Sequence, residues 1–109
     1  MTDVPRILHV LDHSVPLHSG YAFRTLAILR EQRRRGWETS HLTSTKHYGA
    51  TAALEDAEGL RFYRTPASTS PLARLPVVDQ LAVIRDTRRR LDEIIEIERP
   101  NLLHAHSPA

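Results

Sequence analysis

Arg6-Ile-Leu-His-Val-Leu-Asp12, a short apolar stretch that begins one residue after a proline, decides the fold. Its length and composition are typical of a strand in a parallel sheet, where helices cover both faces and the strand is apolar throughout. The stretch ends on a polar residue. The residues that follow, His13–Gly20, are rich in His, Ser, Pro and Gly, as loops are. The chain therefore opens with a buried strand and a loop at its carboxyl end.

A helix is predicted directly after this loop, from Tyr21 to about Arg35. Ser19 has the side chain of a helix N-cap, and Gly36 stands where helices commonly end. Apolar residues recur at i, i+4 and i+7, which places them on one face: Ala22, Leu26 and Leu29. The sequence thus predicts a strand, a loop and an amphipathic helix in that order.

The rest of the chain continues the alternation of strands and helices. A second helix is predicted over Val77–Glu98, where Pro100 stops it. Further strands are predicted at Trp37–Thr43, Leu60–Arg64 and Asn101–His106. This order predicts an α/β protein, a Rossmann-like doubly wound fold with a mainly parallel sheet and helices on both faces.

Two longer segments are predicted as loops. Ser44–Gly59 is polar and rich in small residues, with a short helix expected near Ala52–Ala57, and Thr65–Pro76 contains three prolines. The chain ends three residues after its last predicted strand, whereas doubly wound domains normally continue. We therefore expect these 109 residues to be part of a larger domain.

The loop after the first strand is the first candidate site, because ligands of open α/β sheets bind at the carboxyl ends of the strands. The helix after Ser19 and Gly20 directs backbone N–H groups towards this edge, where a phosphate is favoured. In the alternative interpretation Gly20 only makes the turn. No Gly-x-Gly-x-x-Gly or Gly-x-x-x-x-Gly-Lys motif is present, so neither a dinucleotide fingerprint nor an NTPase loop is indicated.

His104 and His106 form the second candidate, since residues i and i+2 of a strand share a face. A His-x-His pair can ligate a metal, but no third ligand is evident in the sequence, so no metal site is predicted. His106 comes at the carboxyl end of its strand and could bond a substrate hydroxyl or phosphate, or simply complete the sheet. The remaining histidines are interpreted as structural or surface residues: His9, His18, His41 and His47.

The basic residues suggest a surface role. Fourteen of the fifteen are arginines, yet the net charge is only +2. Arg88–Arg90 span most of a helix circumference, and we expect them to face water and pair with Asp86, Asp92 and Glu93. Peripheral contact with an anionic membrane or a lipid pyrophosphate is the alternative. Aromatic residues make up 6%, with no basic stripe between them, so nucleic-acid binding is not indicated.

Composition restricts the class of protein further. There is no cysteine, which excludes disulfides and thiolate metal sites. No stretch reaches the roughly 18–20 apolar residues of a membrane span, and the N-terminus does not resemble a signal peptide. We therefore expect a cytoplasmic protein, at most attached to the inner membrane surface.

Taken together, these motifs resemble the N-terminal domain of family 4 glycosyltransferases, which have the GT-B architecture. The resemblance lies in Arg6-Ile-Leu-His-Val10, in Pro16-Leu-His-Ser-Gly20 before the helix, and in Arg99-Pro-Asn-Leu-Leu-His-Ala-His106. The loop and the start of the helix, Asp12–Arg24, are similar to a subgroup found with bacterial exopolysaccharide and exosortase gene clusters. Nearly the whole chain is covered.

The resemblance implies roles for four residues. Gly20 matches the second glycine of the family's pair, whose backbone approaches the donor diphosphate, and Ser19 stands where the family has the first. His106 matches the family's active-site histidine near the transferred sugar, and Arg24 is expected to reach the same cleft. The family retains anomeric configuration, needs no bound metal or other cofactor, and stabilises the leaving diphosphate with basic groups and helix N-termini.

The resemblance therefore implies the acceptor-side, N-terminal part of a hexosyltransferase that moves a sugar from a nucleotide-sugar donor to a glycan or lipid-linked acceptor. The donor-binding C-terminal domain is not in this sequence, so we expect the chain alone to be inactive and prone to self-association. The alternative is a non-catalytic α/β ligand-binding or regulatory module. A receiver-like module would need a second acidic residue beside Asp12, and an epimerase would need the dinucleotide fingerprint.

Overall fold

The computed structural model describes residues 4–44, 53–65 and 76–106. In this part of the chain five strands and two helices follow one another. The strands are β1 (Arg6–Leu11), β2 (Glu38–Thr43), β3 (Leu54–Ala57), β4 (Leu60–Tyr63) and β5 (Leu102–Ala105). The helices are α1 (Gly20–Arg34), between β1 and β2, and α2 (Pro76–Glu98), between β4 and β5.

The strands form one sheet in the order β3-β4-β2-β1-β5. β1 lies in the middle and is parallel to both β2 and β5, and β2 is parallel to β4. Only β3 runs antiparallel, against β4. The mixed, mainly parallel sheet with its two helices confirms the Rossmann-like α/β fold that the alternating pattern predicts.

The core lies on both faces of the sheet. One cluster joins Leu11 and Phe62 to the apolar face of α1, including the predicted stripe, and its members are all buried. The other joins Leu8 and Leu42 to Ile94 of α2. Since Leu8 and Leu11 point to opposite faces of β1, the two helices cover opposite sides of the sheet, as predicted.

Helix α1, Gly20–Arg34, begins and ends within one residue of the predicted bounds. The Ser19 side chain accepts a hydrogen bond from the Ala22 N–H, which caps the helix. At the other end Gly36 has a φ of 84°, in the left-handed region that favours glycine, and its N–H bonds to the Arg33 carbonyl. Both ends of the helix are thus set by single residues.

The segment before β4 corrects the sequence prediction. A short helix was expected near Ala52–Ala57, but Leu54–Ala57 forms strand β3. Glu58 and Gly59 make a two-residue hairpin turn with φ of 53° and 78°, the left-handed conformations that match the twist of a tight hairpin. The prediction failed because Glu58 adopts a positive φ without being Asn, Asp or Gly.

Two predicted loops lie partly outside the described residues. These parts are residues 45–52 and residues 66–75. In the described ranges 4–44, 53–65 and 76–106, neither helix combines the length and the apolar character that crossing a membrane requires.

Candidate functional site

The candidate site lies at the carboxyl edge of the sheet, where β1, β2 and β5 end side by side. The Ser44 N–H bonds to the Leu11 carbonyl and the His106 N–H to the Val10 carbonyl, so the ends of β2 and β5 are fixed to β1. The loop between β1 and α1 leaves from the same edge. The loop and the end of β5, which carry the residues that the sequence analysis singled out, therefore lie at the same edge of the sheet.

The loop is held by a short hydrogen-bonded chain of side chains. His13 Nδ1 lies 3.1 Å from Asp12 Oδ2, and His13 Nε2 lies 2.7 Å from Ser19 Oγ. Because a carboxylate only accepts, the neutral His13 ring donates through Nδ1. Its Nε2 then accepts a hydrogen bond from the Ser19 hydroxyl. Ser19 Oγ in turn accepts the Ala22 N–H at 2.9 Å. The tautomer of His13 and the position of Ser19 are both fixed.

These hydrogen bonds give a role to the serine that stands at the first position of the expected glycine pair. The Ser19 hydroxyl donates to His13 and accepts from the Ala22 N–H of α1. It therefore holds the N-terminus of the helix in place. Gly20, the first residue of α1, has open space where a Cβ would lie. Backbone N–H groups of this first turn face the edge of the sheet, and they favour an anion there.

His106 is held by a second chain that runs back into the protein. His106 Nε2 lies 2.9 Å from Nδ1 of His9, a buried residue of β1. His9 Nε2 lies 2.7 Å from Gln32 Oε1 on α1. Since the amide oxygen accepts, His9 donates through Nε2 and accepts from His106 through Nδ1. The orientation of the His106 ring is therefore set by α1 through His9.

Both of these histidines favour the neutral form. Burial, with smaller contributions from the neighbouring His104, His9 and Arg24, lowers the pKa of His106 to about 4. Burial also lowers the pKa of His9, against the opposing effect of its hydrogen bond to Gln32. At neutral pH each of these imidazoles therefore carries no charge, donates one hydrogen bond through one ring nitrogen and accepts one at the other.

Arg24 is exposed on the second turn of α1. Its guanidinium lies 5.7 Å from the centre of the Tyr21 ring, and its charge contributes to the lowered pKa of His106. The structure therefore brings Ser19, Gly20, Arg24 and His106 to one edge. A positive side chain and a helix N-terminus there form a suitable environment for an anionic group.

A cleft of about 380 Å³ opens beside His106, on the α2 side of the sheet. Its walls combine strand ends, helix α2 and charged groups of both signs. Asp12 and His106 contribute from the sheet and Arg88 from the helix; apolar lining comes from Leu11, Ile84 and Leu91. The volume is that of a small-molecule site, and the mixed lining suits a polar ligand with apolar contacts.

Arg64, directly after β4, holds the loop between β1 and α1 by hydrogen bonds. The sequence analysis gave this residue no role. Its side chain is fully buried. It donates to Ser14 Oγ at 2.6 Å and to the Val15 carbonyl at 2.9 Å, and it pairs with Glu55 of β3 at 2.8 Å. A buried cation needs such partners. The loop that leads to Ser19 is thereby tied to the far edge strand.

Arg90 departs from the expected water-facing cluster. Its guanidinium donates to the Arg64 and Ala53 carbonyls at 3.1 and 2.8 Å, lies over the Tyr63 ring and pairs with Glu93. Arg88 and Arg89 are exposed, as predicted. Within the described residues Asp86 pairs with Arg85. Only part of the arginine run is therefore available to a surface or an anionic acceptor.

His9 was interpreted as a structural or surface residue, and it is buried in β1, but its hydrogen bond to His106 was not predicted. The parallel register places His9 opposite His104, and the rings of His104 and His106 stack with their centres 4.0 Å apart. The available signal was a histidine inside an apolar strand, in a protein with two more histidines on another strand. Without the strand order, nothing links residues so far apart in the chain.

The fold is that of a Rossmann-like α/β domain, with a candidate ligand site at the carboxyl ends of its strands. A sequence profile of the glycosyl transferase 4-like domain matches residues 19–109, most of the chain. The chain therefore belongs to the glycosyl transferase 4-like family, and the resemblance noted in the sequence is confirmed at this level. Comparisons with curated proteins and with solved structures gave no significant match.

Proposed function

We propose that this chain is the N-terminal, acceptor-side part of a retaining hexosyltransferase that uses a nucleotide-sugar donor. The acceptor is a glycan or a lipid-linked sugar, and the donor-binding half belongs to a further domain. Membership of the glycosyl transferase 4-like family supports transfer of a sugar. The exopolysaccharide and exosortase subgroup remains a prediction from the motif Asp12–Arg24.

The geometry that supports the proposal is the carboxyl edge itself: α1 begins there at the Ser19 cap, the charge of Arg24 acts on His106, and His106 lines a cleft on the α2 side. When the bond between the donor sugar and the nucleotide breaks, negative charge develops on the leaving diphosphate. Backbone N–H groups and a cation already in position stabilise that charge without reorganising. This stabilisation requires no metal ion, so we expect transfer to need none.

Each site residue then has a distinct role. The backbone at Gly20 approaches the diphosphate, and the Ser19 hydroxyl keeps that backbone in place through the α1 cap. Arg24 supplies positive charge. His106, neutral and held by His9, hydrogen-bonds to the transferred sugar or to the acceptor hydroxyl through its remaining ring nitrogen, Nδ1.

Location and association follow from the same proposal. A cytoplasmic enzyme that uses a lipid-linked acceptor would contact the membrane at its surface, and exposed Arg88 and Arg89 suit anionic headgroups. The isolated chain is expected to self-associate, because Leu102 and Leu103 of β5 are 56% and 53% exposed on the edge of the described sheet. Sedimentation at several concentrations measures this.

The deciding experiment compares two proteins: the purified 109-residue chain and the longest native polypeptide that contains it. Both are incubated with a panel of radiolabelled sugar nucleotides and membrane extract as acceptor. We expect transfer only by the longer protein. Substituting His106→Ala there should lower kcat/KM by about 10²-fold, the usual effect of losing a positioning contact, while His18→Ala, in an exposed part of the loop, should leave it unchanged.

The alternatives give different results. Transfer by the 109-residue chain would refute the proposed division of labour. A native polypeptide that ends at Ala109 and binds a sugar or nucleotide without transferring it would favour a non-catalytic ligand-binding or regulatory module. Equal activity of the His106→Ala variant and the unsubstituted longer protein would remove His106 from the site.

A further inference from the structure

Three imidazoles from two neighbouring strands converge at the carboxyl edge. His9 lies on β1, His104 faces it in register on β5, and His106 follows on the same side. Each can offer one ring nitrogen such that the three atoms lie within 4.8 Å of one another. His9 is buried, His106 is partly buried and His104 is exposed, so the cluster opens towards solvent on one side.

The innermost histidine is already oriented as metal ligands are. His9 Nε2 donates to Gln32 Oε1 at 2.7 Å, which leaves the Nδ1 lone pair pointing at His106 Nε2, 2.9 Å away. Ligating histidines almost always donate their second ring N–H to a fixed acceptor, which sets the tautomer and strengthens the ligand. In the metal-free arrangement a single proton of His106 occupies the gap between these two nitrogens.

The distances are close to those a metal requires. Tetrahedral coordination with metal–nitrogen bonds near 2.0–2.1 Å separates ligand nitrogens by about 3.3 Å. The His9 and His106 nitrogens already lie slightly closer than that. The third nitrogen has at most about 1.5 Å to move, by the same comparison, and an exposed side chain at the end of an edge strand can rotate that far.

The donor set selects the class of metal. Three imidazoles without a carboxylate suit zinc, copper, nickel or cobalt, whereas magnesium and calcium prefer oxygen ligands. We propose that His9, His104 and His106 bind one divalent transition-metal ion, with zinc as the best-matched class and a fourth position open to solvent. Arg24 opposes a cation electrostatically, but it is exposed and its charge is screened by solvent.

Metal binding does not depend on the proposed function. One consequence of it, inhibition of sugar transfer, rests on the proposed function. A metal held by His106 Nε2 would break the hydrogen bond to His9 and fix the ring in a new position. Sugar transfer, proposed above to need no metal, would then be inhibited by zinc. A chelator would restore it.

Titration of the untagged chain tests the site directly. Cobalt(II) is added while its visible ligand-field bands are followed, since tetrahedral coordination makes them far more intense than in the hydrated ion, and zinc is titrated by calorimetry. We expect one equivalent to bind. Substituting His104→Ala should weaken binding at least tenfold, and Gln32→Leu, which removes the acceptor behind His9, about 10–100-fold.

Two controls make the metal titration interpretable. His104 is exposed, so its variant should fold, which circular dichroism verifies. His18→Ala removes an exposed imidazole elsewhere and should leave affinity unchanged. Sub-stoichiometric binding, or equal weakening by His104→Ala and His18→Ala, would overturn the proposal. Because metal binding is read on the chain itself, its failure is distinguishable from absence of sugar transfer.

Discussion

Acidification should destabilise the fold through His41, a fully buried residue of β2. Its Nδ1 donates to the Arg61 carbonyl at 2.8 Å, and its Nε2 accepts from Thr39 Oγ1 at 2.8 Å. Because Nδ1 carries the proton of the neutral ring, Nε2 accepts, and the Thr39 hydroxyl, whose oxygen also accepts from Arg33 Nε at 2.6 Å, donates to it. A proton on Nε2 would require the Thr39 hydroxyl to reorient, and it would place a positive charge at a fully buried position.

The magnitude follows from the pKa. Burial, with the charge of Arg33 adding to it, lowers the pKa of His41 from 6.5 to about 4. The difference corresponds to about 3 kcal/mol. Above pH 6.5 His41 is neutral in both states and stability is complete. As the pH falls towards 4 the unfolded chain takes up a proton that the native chain does not, so native stability is lost.

Urea unfolding at about pH 7.5 and about pH 4.5 measures this loss, with His41→Asn as the matched variant. The asparagine amide can still donate to the Arg61 carbonyl but does not titrate. We expect the free energy of unfolding to fall by about 2.5 kcal/mol more between these pH values in the unsubstituted chain than in the variant. An equal fall in both proteins would refute the assignment of a neutral, buried His41.

Substitutions at three further positions test the parts of the site. Arg64→Met should lower the free energy of unfolding by about 3 kcal/mol in urea, because Ser14, Val15 and Glu55 lose a buried donor; an unchanged value would contradict the role of Arg64 in holding the loop. Ser19→Ala should lower it by about 1 kcal/mol through loss of the α1 cap, and Ser19→Asp should restore most of that. Gly20→Ala should leave stability unchanged or raise it by about 0.5 kcal/mol, because a Cβ meets nothing there. In the longer polypeptide the same Gly20→Ala change should raise KM for the donor; an unchanged KM would mean that Gly20 only makes the turn.

The sequence predicted the fold well where a local pattern carries the information. The apolar run of β1, the Ser19 cap and the stripe of α1 each depend on residues a few positions apart, and all were confirmed. The prediction of a short helix where β3 lies was wrong, because the Glu58–Gly59 turn depends on positive φ angles that these side chains barely indicate. Such a hairpin is stabilised by pairing with β4 and not by its own composition.

The candidate site was predictable only in part. Its location at the carboxyl edge follows from the βα order, which selected Ser19, Gly20 and His106, whereas Arg24 was selected through the family resemblance. His9 and Arg64 could not, because each acts through a partner distant in sequence: His106 in one case and Ser14 in the other. Whether a charged or titratable side chain is buried depends on the order of the strands in the sheet. That order cannot be read from a single sequence.

The central position of β1 has a consequence for how the protein is made. β1 leaves the ribosome first, but one of its two neighbours is β5, and the Arg6 N–H bonds to Asn101, 95 residues later. At about 5–20 residues per second, β1 waits roughly 5–20 s with one edge unpaired. Long-range parallel pairing of this kind also folds slowly. The nascent chain therefore carries an open strand edge until β5 has been made, which is a stage at which a chaperone has an exposed edge to protect.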